Sequence, residues 1–206
     1  MLTDKNPWVD EAPSIDAFPT VKDQAVPNVA LPPRQPIQPA FTRSGIPVPE
    51  HMLPVVEPWE ANRIWIVGAH GGAGESTLAA LDPTWEAANH AFPAESQVIV
   101  CCRTDAAGLE RGRLALQQVM AGYAGAARVV ALALVSDSPA RLTSSLKQRR
   151  RLVASLAPTV VDFPYQRQLR TTPVTTGDVR PGLFEEQVST LHHLLDLPIS
   201  TQGVRQ

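Results

Sequence analysis

Cysteine is nearly absent from this chain: there are two, Cys101 and Cys102, adjacent in QVIVCCRTD. Neighbours on a strand point to opposite faces, so the pair forms neither a structural staple nor half of a metal cage. They read as small buried hydrophobes of a reducing compartment. Long apolar runs are missing too. No stretch reaches the roughly 18 residues that a membrane span requires. The opening MLTDKNPWVDEAP holds acids where a secretory leader would hold an apolar segment, so the expected location is cytoplasmic. Aromatic residues make up only 5% of the chain, which leaves the core to Ala, Val and Leu. The net charge of −2 offers no bulk attraction to nucleic acid or acidic lipid.

Proline, in contrast, is abundant and unevenly spread. Twelve of the 20 prolines in the 206 residues precede Asn62. Each one fixes φ and removes a backbone donor, which excludes regular helix and inner strand there. Residues 1–60 are therefore expected to be a disordered or polyproline-like tail, and 199–206 a flexible end. LPPRQP resembles a ligand for an aromatic proline-binding groove, but a spacer explains it as well.

From Arg63 short apolar runs alternate with helical periodicity. RIWIVGA, SQVIVCC, RVVALALVSD and PTVVDFPY predict four strands. A stretch from Ser76, then AAGLERGRLALQQVMAGY, RLTSSLKQRRRLVASL and LFEEQVSTLHHLLDL predict helices. Continuous apolar strands separated by helices imply an α/β domain over 61–198: a short parallel sheet of about four strands with flanking helices. The loops after the strands then share one edge, where such proteins bind ligands.

The loop after the first strand, IWIVGAHGGAGESTL, has the spacing of a phosphate-cradling loop between strand and helix. Ala69 begins it, and His70, Gly71, Gly72, Ala73 and Gly74 form the turn. Glu75 holds the lysine position, Ser76 is the hydroxyl that would ligate Mg²⁺, and Thr77 follows. The glycines permit close approach of backbone amides to phosphate oxygens, and the helix would aim its positive end there. With the lysine replaced, ATP and Mg²⁺ are expected to bind only weakly. An acid about 4 Å from a phosphate charge is worth roughly 4 kcal/mol of repulsion at an effective dielectric near 20. Efficient phosphoryl transfer also needs a metal and a positioned base or arginine. Arg103 and Arg141 are the arginines able to substitute, and the turn can equally be kept for close packing alone.

HGGAGEST resembles the KGGxGKT loop of the ParA/MinD family of deviant Walker-A ATPases. VIVCCRTDAAGLERGRLAL, RVVALALVSD and VVDFPYQRQLR are similar to later segments of that family, so the likeness runs from Arg63 to Leu195. It implies a P-loop NTPase fold, ATP and Mg²⁺ as ligands, a homodimer across the loop, and Asp137 near the base pocket. The chain departs from the pattern at both lysines, replaced by His70 and Glu75. AALDPTWEAANHAFPAE is also too short for the family's extra strand with its metal-coordinating aspartates, leaving Asp105 and Asp137 as candidate substitutes. The chain is similar as well to an uncharacterised actinobacterial family encoded near conjugation and plasmid-transfer genes. The resemblance therefore implies a non-hydrolysing accessory module of a plasmid or conjugative element, docking on a partner ATPase or transfer component. A nucleotide switch with a lysine-less loop is the first alternative. A DNA-binding adaptor using the Lys147–Arg151 run is the second.

Three further features have plain structural explanations. Asp137 or Ser138 is placed to cap the following helix, with Pro139 in its first turn. Lys147 and Arg151 share one helix face, as a solvated surface would. His192 and His193 fall on different faces, so they do not form a metal pair. His70 lies in the loop and is expected to lend partial positive charge.

Overall fold

The computed structural model describes residues 49, 51–60, 63–171 and 184–196. The tail over 1–48 and the end over 199–206 lie outside the described residues. Five strands form one parallel sheet: β2 (Ile64–Gly68), β3 (Trp85–Ala87), β5 (Gln97–Arg103), β6 (Arg128–Val135) and β7 (Val160–Phe163), in the order β3-β2-β5-β6-β7. Both faces of the sheet are buried, as the unbroken apolar runs of β2 and β5 require. Trp65, Val67, Val98, Val100 and Cys102 point to one face with Leu109 and Leu116 of α2 (Ala106–Met120) and Val153 of α3 (Ser144–Ala154). Ile66, Ile99 and Cys101 point to the other with Leu78 of α1 (Glu75–Ala79) and Leu191 of α4 (Glu185–Asp196). The two cysteines accordingly face opposite sides of the sheet and are free.

Counted along the chain, the five strands run 2-1-3-4-5 across the sheet. The winding direction reverses between β2 and β5, and their carboxyl ends open a crevice of the kind where doubly wound sheets bind ligands. The glycine loop leaves β2 at that point. No described helix is long and apolar enough to cross a membrane.

The structure corrects the sequence reading in three places. The sheet has a fifth strand, Trp85–Ala87, paired with β2 through Ile64, Trp65 and Ile66. A three-residue edge strand carrying glutamate and alanine has too little alternation to register as periodicity. The second place lies ahead of the stretch expected to fold. Residues 51–60, assigned to the tail, include β1 (Val55–Val56), which pairs in parallel with β4 (Phe92–Pro93). Trp59 also meets Trp65 edge-on with ring centroids 4.3 Å apart. Prolines 54 and 58 are compatible with this because the two-residue strand lies outside the main sheet. Finally, α3 starts at Ser144 and is capped by Thr143, whose Oγ1 accepts from Leu146 N; Ser138 instead accepts from Ala140 N within a turn.

Candidate functional site

The loop of residues 69–74 sits where the topology places a ligand crevice. Its start is sewn to the neighbouring strand by Ala69 N–H donating to the Cys101 carbonyl at 2.9 Å. It then turns on itself, Ala73 N–H donating to the His70 carbonyl at 3.2 Å. Gly74 has φ +100°, a backbone state that only glycine adopts cheaply, and a Cβ there would come within 3.3 Å of Val135 Cγ2. Close packing of the loop on the end of β6 therefore accounts for this glycine. The helix that follows has only five residues, so few aligned peptide dipoles stand behind the loop.

Glu75 does not face the loop mouth. It is 7% exposed, and its carboxylate turns toward the β2–β3 edge. There Oε1 accepts from His90 N–H at 3.1 Å and Oε2 lies 3.0 Å from His90 Nδ1. Nδ1 is also 3.0 Å from the Gly68 carbonyl, so with acceptors on both sides this nitrogen carries the hydrogen. The pair rests directly on Gly68: a Cβ there would meet His90 Nδ1 at 2.7 Å and Glu75 Oε2 at 2.8 Å. The repulsion expected from an acid in the cradle is therefore not the dominant effect, because the carboxylate is folded under the loop and bonded. Burial, with the Glu75 charge second, pushes the Cys101 thiol well up, and burial first pushes Cys102 up to about 12. Neither thiol is a nucleophile in the folded chain.

Both ring nitrogens of His70 are engaged within the loop region. Its Nδ1 faces the Gly71 carbonyl at 2.9 Å and its Nε2 accepts Arg103 N–H at 3.3 Å. Arg103, at the end of β5, reaches the loop. Its Nε donates to the Gly72 carbonyl and its Nη1 lies 2.7 Å from Asp137 Oδ1. Asp137 is thus drawn to the loop through Arg103. Asp105 is the N-cap of α2, its Oδ1 accepting from Gly108 N at 2.8 Å.

Of the remaining expected residues, Ser76 is exposed and Thr77 half-buried in the first turn of α1. Gly74, Thr77 and Arg103 border a cavity of about 80 Å³ closed by Phe163, Tyr165 and Phe184. Arg141 is exposed and forms no bond to the loop among the described residues. No group of three metal-ligating side chains exists among the described residues. Lys147, Arg149 and Arg151 are exposed on α3, and Arg150 pairs with Asp162. His192 lies 2.9 Å from Asp82 and edge-on to Trp85, while His193 is exposed.

His90 escaped sequence reasoning. It sits in AANHAF, with no motif around it, and reaches Glu75 because Asn89 and His90 both adopt positive φ (53° and 55°). Two successive left-handed residues, one of them asparagine, were the available signal.

A family model described as "Family of unknown function (DUF6668)" matches residues 62–182. No curated protein and no solved structure matches the chain.

Proposed function

The chain belongs to DUF6668, a family of unknown function, and from its loop we propose a degenerate phosphate-loop protein of ParA/MinD type that does not hydrolyse nucleotide. On this reading it is an interaction module of a plasmid or conjugative element and works by docking on a partner protein. The observation that supports it is the fate of the two positions at which the ParA/MinD pattern has lysine. Glu75 is bonded to His90 under the loop, and His70 bridges Gly71 and Arg103. Phosphoryl transfer needs concentrated positive charge at the transferred group. Here Arg103, at the rim, is bonded to Gly72 and Asp137.

A second reading, nucleotide binding without lysine, draws support from the same geometry. The carboxylate is turned aside, and Arg103 would need only to exchange Asp137 for an anionic oxygen. Calorimetry of the full chain with Mg-ATP and Mg-GTP separates the two. The proposal expects no measurable binding below millimolar nucleotide and no phosphate release. Micromolar binding lost in Arg103→Met would favour the second reading, and steady phosphate release would overturn the first.

A further inference from the structure

Outside the five-stranded sheet, the β1–β4 pair holds an arrangement of another kind. Residues 51–60 form a strap, and the domain reads it through its backbone. Gln118 of α2, 1% exposed, receives Leu53 N–H on Oε1 at 2.7 Å and donates from Nε2 to the Leu53 carbonyl at 2.7 Å. Its remaining hydrogen goes to the Tyr123 carbonyl at 2.9 Å. One side-chain amide therefore does what a neighbouring strand would do. Beyond it, Phe92 N–H donates to the Pro54 carbonyl and Ala94 N–H to the Val56 carbonyl, both at 2.8 Å. Val56 is buried, and Val55 fills a slot left by Gly125, where a Cβ would come within 2.5 Å of Val55 Cγ1.

These are the elements of strand addition: main-chain bonds supply affinity and side-chain slots supply sequence preference. Each position has a stated requirement. The first must keep both N–H and C=O for Gln118 and cannot be proline. The second uses its carbonyl with Phe92 and accepts proline. The third must fit the Gly125 slot, and the fourth must be apolar. A cleft of about 1210 Å³ continues from the groove past Pro58 and Trp65 along the end of α2, with Glu95 and Arg128 at its rim. The family match begins at residue 62, after the strap, whereas Phe92, Gln118 and Gly125 all lie inside it.

We propose that this groove docks an extended segment of a partner protein, of the form apolar–proline–valine–apolar, and that Leu53–Val56 holds it in cis until displaced. This gives the interaction module its docking surface, yet it stands on the strap edge alone and is independent of whether the loop takes nucleotide. A strap tethered by a few residues has a millimolar effective concentration, which masks the groove from weak competitors.

The test uses a labelled peptide with the sequence of residues 49–60 and the full-length chain. Leu53→Pro deletes the N–H that Gln118 receives, and Val55→Ser, run in parallel, empties the slot without altering the main chain. Fluorescence anisotropy should show the folded variants binding the peptide at least about tenfold more tightly than wild type. Hydrogen exchange at Phe92 and Ala94 should quicken in the variants and slow again on adding peptide. A peptide carrying Val55→Asp should not bind. Failure of either folded variant to bind millimolar peptide, or equal binding of the Val55→Asp peptide, overturns the proposal. Nucleotide calorimetry is unaffected by either result.

Discussion

The loop edge, at the carboxyl ends of the central strands, and the strap edge, where β1 pairs with β4 outside the central sheet, use polar groups in opposite ways. At the loop edge, Glu75 and His90 bond to each other and His70, Arg103 and Asp137 form a chain across the loop's own carbonyls. At the strap edge, Gln118 directs its amide to the main chain of a segment from outside the sheet. The first arrangement closes on the loop; the second closes on the main chain of Leu53 and Tyr123. A residue's chemistry says what it can bind, and its partners say whether that capacity is already committed. Glycine spacing attracts attention to the loop, but the satisfied geometry there points inward. The strap edge carries no motif and presents the recognition chemistry.

Substitutions at each edge sharpen this contrast. The largest effect is expected at Gly68→Ala, whose methyl would collide with both members of the Glu75–His90 pair. It should cost about 3 kcal/mol by urea unfolding. Gly71→Ala, facing open space, should stay within about 0.5 kcal/mol. Similar costs for the two would break the reading of the loop as a packed crossing. Gln118→Leu should cost about 2 kcal/mol, since it strands both polar groups of Leu53 in a half-buried place, and should speed exchange at Phe92 and Ala94. Arg103→Met should cost only about 1 kcal/mol, because the pair with Asp137 is partly solvated.

The smallest effect concerns pH at the flank of the loop edge. Burial alone would raise Asp82, but the Thr84 hydroxyl and amide, with His192, outweigh it and hold the carboxyl below its usual value. A depressed carboxyl stabilises the fold above its unfolded pKa and loses that contribution as pH falls through its folded value. Asp82→Asn should therefore flatten the fall in melting temperature below about pH 4, with little change at neutrality.

Much of the fold was legible in the chain. The four longer strands and the helices over Ala106–Met120, Ser144–Ala154 and Glu185–Asp196 fall where apolar periodicity places them. Ten or more residues of one period outweigh local ambiguity. The adjacent cysteines on opposite faces follow from strand geometry alone. The short pieces were not legible. Trp85–Ala87 and Val55–Val56 are strands only because a partner strand is present to pair with them. The site divides in the same way. That His70, Gly72, Gly74 and Glu75 share one turn is a matter of spacing. The placement of Glu75 beneath it depends on His90, fifteen residues on and beyond a strand of the same sheet.

By itself, then, the sequence determined a parallel α/β sheet, the position of a glycine turn at its crevice, and the presence of Glu75 in that turn. Tertiary structure alone decided where the replacing acid points and which segment Gln118 holds. The reason is physical: periodicity and chirality act between near neighbours, whereas a buried carboxylate or amide takes its direction from whichever donors and acceptors the folded chain brings within hydrogen-bond reach.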